Sequence, residues 1–244
     1  PSREDAMSFR RMRHVKAREV QGCVLALDAS TPSMYDATSG GSLAAADGAV
    51  ARWEDISGNA NHATQSTSGA RPLRKVASVS GNDALLFDGS NDTMSYSSSP
   101  SRPNTSLLVG QRVSTQSGYI SFFSMSGYGG LFARTSSYSA ISSYVNPGVD
   151  LPTTLDPANN TSFAVTVVNE VGDVRIYGNS AGSAIASSST EIRGPGFAAT
   201  VGSEGSARHV NARFCCLAIW NRMVSVPVNQ RLRHASMRKW RIAS

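Results

Sequence analysis

The chain has 244 residues, of which 40% are hydrophobic and only 16% charged, and its formal charge is +6. Its 21 glycines, with many serines and threonines, are typical of short strands joined by turns, and they argue against a coiled coil or a helical bundle. No apolar run approaches the roughly 18 residues that would cross a bilayer, and three cysteines do not make a disulfide framework.

The first 22 residues are a basic arm, with six Lys or Arg against three acids. A helix is predicted there from roughly Ser2 to Val20. Such an arm can bind an acidic partner surface, although the same charges can also be a solvated set. The predicted anchoring residues are Arg10, Arg11, Arg13, Lys16 and Arg18. Because the arm lacks the apolar core of a secretory signal, we expect the protein to stay in the cytoplasm that made it.

Strand-like segments follow, separated by turn residues. Several alternate apolar and polar residues, as in Phe163, Val165 and Val167, which is typical of a half-buried antiparallel strand. The eleven predicted strands are 23–29, 84–89, 93–98, 105–113, 118–125, 130–136, 139–145, 162–169, 173–179, 197–203 and 212–221. Gly172 marks a hairpin turn between two of them. The pattern predicts an all-β fold, a two-sheet antiparallel jelly-roll sandwich formed by one domain over residues 23–244.

The chain ends in a predicted short basic helix. It begins after Ser225, the expected N-cap, with Pro227 near its first turn, and runs to about Trp240. An apolar face is formed by Val228, Leu232, Ala235 and Trp240. The basic side chains are predicted to lie on other faces, at Arg231, Arg233, Arg238 and Lys239.

Three landmarks occur in a definite order along the chain. They are LALDAS (25–30) with RWEDISGNANHATQ (52–65), then GNDALLFDGSNDTMS (81–95), and finally FCCLAIWNRMVSVPVNQRLRHASMRKWRI (214–242). In this order they resemble the laminin-G-like, concanavalin A-like lectin/glucanase jelly-roll superfamily, of the type found in tailed-phage structural proteins. The resemblance covers about residues 23–242 and implies a concanavalin A-like sandwich. The closing helix departs from the family, which usually has acids where this chain has Val228, Asn229 and arginines.

The first two landmarks predict turns. Trp53 is expected to bury its ring beside a tight turn in which Asp and Ser side chains cap backbone N–H groups. The residues of that turn are Asp55, Ser57, Gly58 and Asn59. In the second landmark, Phe87 is expected to point into the core, and residues 88–92 to form a hairpin turn into the strand 93–98.

Calcium is the metal that the resemblance brings into question, because some members of the superfamily bind it. Five oxygen-bearing side chains would supply ligands if the two loops meet: Asp55, Asn59, Asp88, Asn91 and Asp92. No EF-hand spacing is present. Zinc is not expected, since the four histidines are scattered and no Cys-x-x-Cys occurs. No other cofactor is predicted.

The sequence also bears on catalysis. Glucanases of this superfamily usually carry their acids as Glu-x-Asp-x-x-Glu on one strand, because hydrolysis needs two carboxylates roughly 5–10 Å apart. This chain has no such pattern, and the adjacent Glu54 and Asp55 would diverge on a strand. A nucleophile elbow, a phosphate loop and a Rossmann fingerprint are absent as well. The sequence therefore predicts that the chain is not an enzyme.

A ligand-binding surface is predicted in YISFFSMSGYGGLFARTSSYSAISSYV (119–145), where tyrosines stand among Ser and Gly. Tyrosine gives a rigid amphipathic contact face, and Ser and Gly adapt around it. The candidate residues are Tyr119, Tyr128, Arg134, Tyr138 and Tyr144. The alternative, that these aromatic residues belong to the core, stays open.

The predicted function is that of a non-enzymatic structural component of a virion. It would be a capsid decoration, fibre or tail protein that displays a lectin-like domain for surface or glycan recognition. The expected partners are other virion proteins, bound through the arm, and a cell-surface glycan, and a homo-oligomer is expected within the assembly. Neither a membrane nor nucleic acid is an expected partner. The alternatives are a free carbohydrate-binding lectin and, less favoured, a glycoside hydrolase.

Overall fold

A computed structural model describes residues 17–97, 103–114, 119–125, 129–134, 141–146, 149–153, 159–170, 172–179, 181–189, 199–203 and 208–242. At 119, 129–134, 141–146 and 149–152 it describes the backbone alone. No helix among these residues is long and apolar enough to cross a membrane.

The described residues form two antiparallel sheets. In chain order the strands are β1 (Cys23–Asp28), β2 (Met34–Tyr35), β3 (Arg52–Trp53), β4 (Ala63–Thr64), β5 (Leu73–Val79), β6 (Asn82–Asp88), β7 (Met94–Ser95), β8 (Asn104–Arg112), β9 (Tyr119–Met125), β10 (Gly129–Arg134), β11 (Ile141–Asn146), β12 (Val149–Pro152), β13 (Ser162–Glu170), β14 (Asp173–Gly178), β15 (Ala186–Ser188), β16 (Thr200–Val201) and β17 (Asn211–Trp220). Sheet I has the order β15-β14-β13-β8-β17-β6-β5, and β1 pairs with the second half of β17. Sheet II has the order β12-β11-β10-β9-β16-β7-β4-β3-β2. The predicted two-sheet antiparallel sandwich is confirmed, and each predicted strand overlaps an observed one.

The two sheets enclose one apolar core. Its aromatic members include Trp53, Phe87, Phe122 and Phe214, all almost completely buried. The rings of Phe87 and Phe214 meet edge to face with their centroids 4.9 Å apart. The predicted burial of Trp53 and Phe87 is therefore confirmed.

A second apolar layer covers the outer face of sheet I. Here the helix α1 (Val226–Trp240) packs through Leu232 and Trp240 in the same buried cluster as Leu107 and Trp220 of the sheet. Because sheet I is covered on both faces, β8 is buried almost continuously and does not alternate.

The helix α1 confirms the predicted C-terminal helix, but one of its arginines lies elsewhere than predicted. Arg233 is 1% exposed. Its guanidinium donates to the carbonyl oxygens of Asn179 at 3.0 Å and Ala181 at 2.6 Å, and to Asn229 Oδ1 at 2.5 Å. The carbonyl groups that follow β14 thus accept the hydrogen bonds that water would accept from an exposed guanidinium. The spacing of residues along the helix does not reveal these contacts.

The predicted N-terminal helix can be checked only at its C-terminal end. Residues Ala17–Glu19 form a short 3-10 turn, and the rest of the predicted helix, up to residue 16, lies outside the described residues. Val20 follows that turn and packs against the outer apolar layer.

Of the two predicted hairpins, one is confirmed. Glu170 pairs with Asp173 around Gly172, whose φ is +75°. The other is wrong, because β6 belongs to sheet I and β7 to sheet II. Residues 88–92 therefore carry the chain from one sheet to the other. The side-chain hydrogen bonds of this turn would be the same in a hairpin and in a crossing between sheets, because they depend on neighbouring residues. They carry no information about which sheet the next strand joins.

Candidate ligand-binding cavity

A cavity of about 560 Å³ lies between the outer face of sheet I and the C-terminal part of α1. β1 and β17 contribute apolar residues such as Ala26 and Ala218, and α1 contributes Trp240. Ala17 lines it from the 3-10 turn. The volume falls within the roughly 300–1,000 Å³ of small-molecule sites, so this cavity is a candidate ligand site.

An ion pair stands in the wall of the cavity. Lys239 Nζ donates to Asp28 Oδ2 at 2.7 Å and to Oδ1 at 3.0 Å. Asp28 Oδ1 also accepts the backbone N–H of Ser30 at 3.0 Å and its hydroxyl at 2.7 Å. The Lys239 ammonium lies 5.4 Å from the centre of the Trp240 ring. These contacts join the last turn of α1 to the end of β1 and balance the charges of Asp28 and Lys239.

Two further cations line the cavity, Arg18 and Arg238, and both are exposed. Neither side chain makes a hydrogen bond or an ion pair with a residue in the described part of the chain. Arg18 is also one of the predicted anchoring residues. The others, Arg10, Arg11, Arg13 and Lys16, lie outside the described residues.

The cysteines near this region are poor nucleophiles. Cys216 lines the cavity, and burial, reinforced by the Asp28 carboxylate, raises its pKa to about 12. Burial likewise raises the pKa of Cys23 to about 12, and that of Cys215 well above its ordinary value. The thiols therefore stay protonated at neutral pH. Cys215 is fully buried, as expected for one member of the adjacent pair.

The first landmark is organised around Asp55, which is 5% exposed. Its carboxylate accepts the backbone N–H groups of Ala26 at 2.8 Å, Ser57 at 2.9 Å and Asn61 at 3.0 Å. The Ser57 hydroxyl adds a fourth bond at 2.8 Å. The predicted capping of backbone N–H groups by this turn is confirmed.

The second landmark contains two interacting aspartates. Asp88 accepts the backbone N–H of Ser90 at 2.7 Å, and Asp92 Oδ2 accepts the backbone N–H of Asp88 at 2.9 Å. Burial raises the pKa of Asp92 to about 6, and the nearby Asp88 carboxylate acts in the same direction. Asp92 therefore titrates close to neutral pH.

Calcium binding stays a prediction for the five residues Asp55, Asn59, Asp88, Asn91 and Asp92. Among the residues described here, no three His, Cys, Asp or Glu side chains form a group that could hold a metal ion. Asp55 and Asp92 already accept backbone N–H groups. A calcium titration followed by thermal denaturation tests the prediction.

The predicted tyrosine surface falls on neighbouring strands at one edge of sheet II, β9 to β12. Tyr119 is in β9, Arg134 in β10 and Tyr144 in β11, and the register pairs Arg134 with Tyr119. The side chains of these three residues lie outside what the structure describes, and so do Tyr128 and Tyr138 entirely. Their part in ligand binding stays a prediction.

No protein-family model matches this chain, and no curated protein sequence matches it. Solved structures are similar in fold. A sialidase from Trypanosoma rangeli has a TM-score of 0.60 at 12% identity, over 99% of this chain and 39% of the sialidase. Domain 4 of AbnA, a GH43 extracellular arabinanase from Geobacillus stearothermophilus solved in complex with arabinotriose, has a TM-score of 0.60 at 11% identity, over 86% of this chain and 98% of that domain. The receptor-binding domain of botulinum neurotoxin D has a TM-score of 0.57 at 12% identity, over 91% of this chain and 54% of the other.

These likenesses show a shared β-sandwich fold, and none of them is specific to phage proteins. They also correct the prediction that the chain is not an enzyme, because sialidases, which are enzymes, contain this fold. This chain spans 34–40% of the length of those sialidase chains.

Of the predicted site residues whose side chains the structure describes, Arg18 alone lines the cavity described above. The sequence interpretation missed Asp28, Arg238 and Lys239, although all three lie within the landmarks that carry the family resemblance. The available signal was an acid at the end of the first strand and a lysine before the last tryptophan. Their contact depends on the packing of α1 against β1, which no local pattern reveals.

Proposed function

We propose that the chain is a carbohydrate-recognition domain. The observation that carries the proposal is the likeness to domain 4 of the arabinanase, which spans most of both chains and was solved with arabinotriose. The receptor-binding domain of botulinum neurotoxin D supports recognition by a sandwich of the same kind. The proposed surface is the tyrosine-bearing edge of sheet II, strands β9 to β12, because tyrosine rings offer rigid faces on which sugars stack.

A glycan array with the purified chain tests this proposal. Changing Tyr128 and Tyr138 together to alanine should abolish the signal. Tyr35→Ala is the matched control, since Tyr35 lies in β2 at the opposite edge of the same sheet. The absence of any glycan signal, or equal loss in both variants while each stays folded by thermal denaturation, contradicts the proposal.

Glycoside hydrolysis is a second candidate, favoured by the sialidases of the same fold, one of them solved as a covalent intermediate. Within the described residues, Asp92 has the pKa of about 6 that suits a general acid, and Asp88 lies beside it. Fluorogenic sialosides and arabinosides, assayed with the natural chain and with Asp92→Asn, test this candidate. Turnover that Asp92→Asn leaves unchanged excludes Asp92 as the acid, and no turnover above background contradicts the candidate.

We further propose that the domain is displayed on a virion as a capsid decoration, fibre or tail protein, bound to other virion proteins through its basic arm. The order of the three landmarks and the charge of the arm support this role. Deleting residues 1–16, which spares the contact of Val20 with the outer apolar layer, should abolish incorporation into particles. Incorporation of the truncated chain at the natural copy number contradicts the role.

A further inference from the structure

The charge of the cavity beside α1 is unbalanced. Arg18, Arg238 and Lys239 bring three positive charges to its lining, against the one carboxylate of Asp28. Lys239 is already paired with Asp28 at 2.7 Å, whereas Arg18 and Arg238 have no side-chain partner within the described part of the chain. A guanidinium presents a planar fork of donors that matches a carboxylate or a phosphate. The lining therefore carries a net positive charge, and two of its guanidinium groups have no partner among the described residues.

The rest of the lining suits a ligand body that is neither fully apolar nor highly charged. Ala26 and Ala218 give an apolar floor, and Thr31 and Ser236 bring hydroxyl groups. A volume of about 560 Å³ takes a ligand of one or two rings. Sugar rings combine apolar C–H faces with hydroxyl groups in this way, so the lining fits a sugar better than a bare inorganic anion.

We propose that this cavity binds a carboxylate-bearing sugar of one or two rings and that Arg18 and Arg238 hold its carboxylate. The inference rests on the proposed function as a carbohydrate-recognition domain, and it adds a site separate from the tyrosine-bearing edge of sheet II. The ion pair between Asp28 and Lys239 joins the last turn of α1, which carries Arg238, to the end of β1.

NMR titration of the full-length, ¹⁵N-labelled chain with digalacturonic acid tests the inference. Galactobiose serves as the neutral counterpart, and inorganic phosphate as an anion without a sugar. We expect digalacturonic acid to bind at least about tenfold more tightly than galactobiose or phosphate, since hydrogen bonds to charged groups are the stronger ones. The shifted amides should belong to β1, β17 and the C-terminal part of α1.

Two variants in α1 test the role of Arg238 in binding. Arg238→Gln should weaken the binding of digalacturonic acid about tenfold. Arg231→Gln should leave it unchanged, because Arg231 is exposed on the same helix two turns earlier and is not part of the cavity lining. Equal binding of galactobiose or of phosphate, equal weakening in both variants, or no binding of digalacturonic acid would each overturn the inference.

The glycan array distinguishes failure of the proposed cavity site from failure of the proposed function. Neutral glycans that bind the natural chain but not the tyrosine variant, with no binding of digalacturonic acid, would overturn the cavity site alone. No sugar binding in either experiment would overturn both.

Discussion

Asp55 and Ala26 are 29 positions apart in the sequence, yet the backbone N–H of Ala26 donates to Asp55 Oδ1 at 2.8 Å. Among the described strands, β1 pairs with β17 alone, so its other edge would otherwise present unpaired backbone groups. The side-chain amides of Asn59 and Asn61 donate to two carbonyl oxygens of β1, at 2.9 and 2.8 Å. The backbone N–H of Ile56 also donates to the carbonyl oxygen of Ala26 at 2.8 Å. The polar stretch after Trp53 thus covers the edge of β1 mainly with side-chain hydrogen bonds, where another strand would use its backbone.

Replacing Asp55 should therefore destabilise the fold. We expect Asp55→Asn to lower the free energy of unfolding by about 2–4 kcal/mol, because the amide turns its own N–H groups toward buried backbone donors and leaves some of them unpaired. Ser57→Ala removes a single hydroxyl donor and should cost about 1 kcal/mol. Urea denaturation measures both. Equal losses in the two variants would show that the carboxylate is not the centre of this turn.

The local part of this arrangement was predictable and the long-range part was not. An Asp that caps the backbone two residues later is an Asx turn, and both members lie in one short stretch. The bond to Ala26 depends on which strand lies beside the turn, and the sequence around Asp55 carries no information about that. The same limit explains the error at residues 88–92, where the turn was identified but the sheet joined by the next strand was not.

The fold class followed from apolar and alternating segments, which is why the long strands were found. The strands that were missed have weak patterns. β2, β3 and β4 are two residues long, and β15 (ASS) and β12 (VDLP) have three and four residues. β5 is longer but reads LRKVASV at the edge of sheet I. Segments this short or this polar do not stand out from turns. The candidate cavity was missed for a different reason, since it is formed by residues from the two ends of the domain.

Gly202 offers a test of the core beside the turn at 88–92. Its φ is +85°, and an added Cβ would lie 2.0 Å from Cδ1 of Phe87. We expect Gly202→Ala to cost about 3 kcal/mol or more, because the Phe87 ring is fully buried and has little room to shift. Gly172 is the matched control, with φ +75° and nothing within 4 Å of an added Cβ, so Gly172→Ala should cost about 1 kcal/mol. If thermal denaturation shows equal losses of stability for the two variants, the Phe87 ring moves to make room for the added methyl group.

Asp92 should make stability depend on pH. Its pKa is raised from the ordinary 3.8 to about 6, chiefly by burial, so the folded state prefers the protonated acid. The stability that this preference contributes is fully present below the unfolded pKa and is lost as the pH rises through 6. Asp92→Asn keeps an oxygen for the Asp88 N–H and removes the charge. Its melting temperature should exceed that of the natural chain at pH 8 but not at pH 4, and a difference that is the same at both pH values would contradict the assignment.

Arg233 tests how α1 is fixed to sheet I. Its guanidinium is buried without a carboxylate partner among its contacts, and burial lowers its pKa to about 10, so it remains charged at neutral pH. We expect Arg233→Ala to lower the free energy of unfolding by about 2–4 kcal/mol, because it leaves the carbonyl groups of Asn179 and Ala181 unpaired and removes a packed side chain. Arg231→Ala, at an exposed position on the same helix, should cost at most about 1 kcal/mol, because an interaction held at an exposed position contributes little. Urea denaturation compares the two, and amide hydrogen exchange should show faster exchange in α1 of the Arg233 variant alone. If exchange in α1 does not change, the helix is held by its apolar face and not by this arginine.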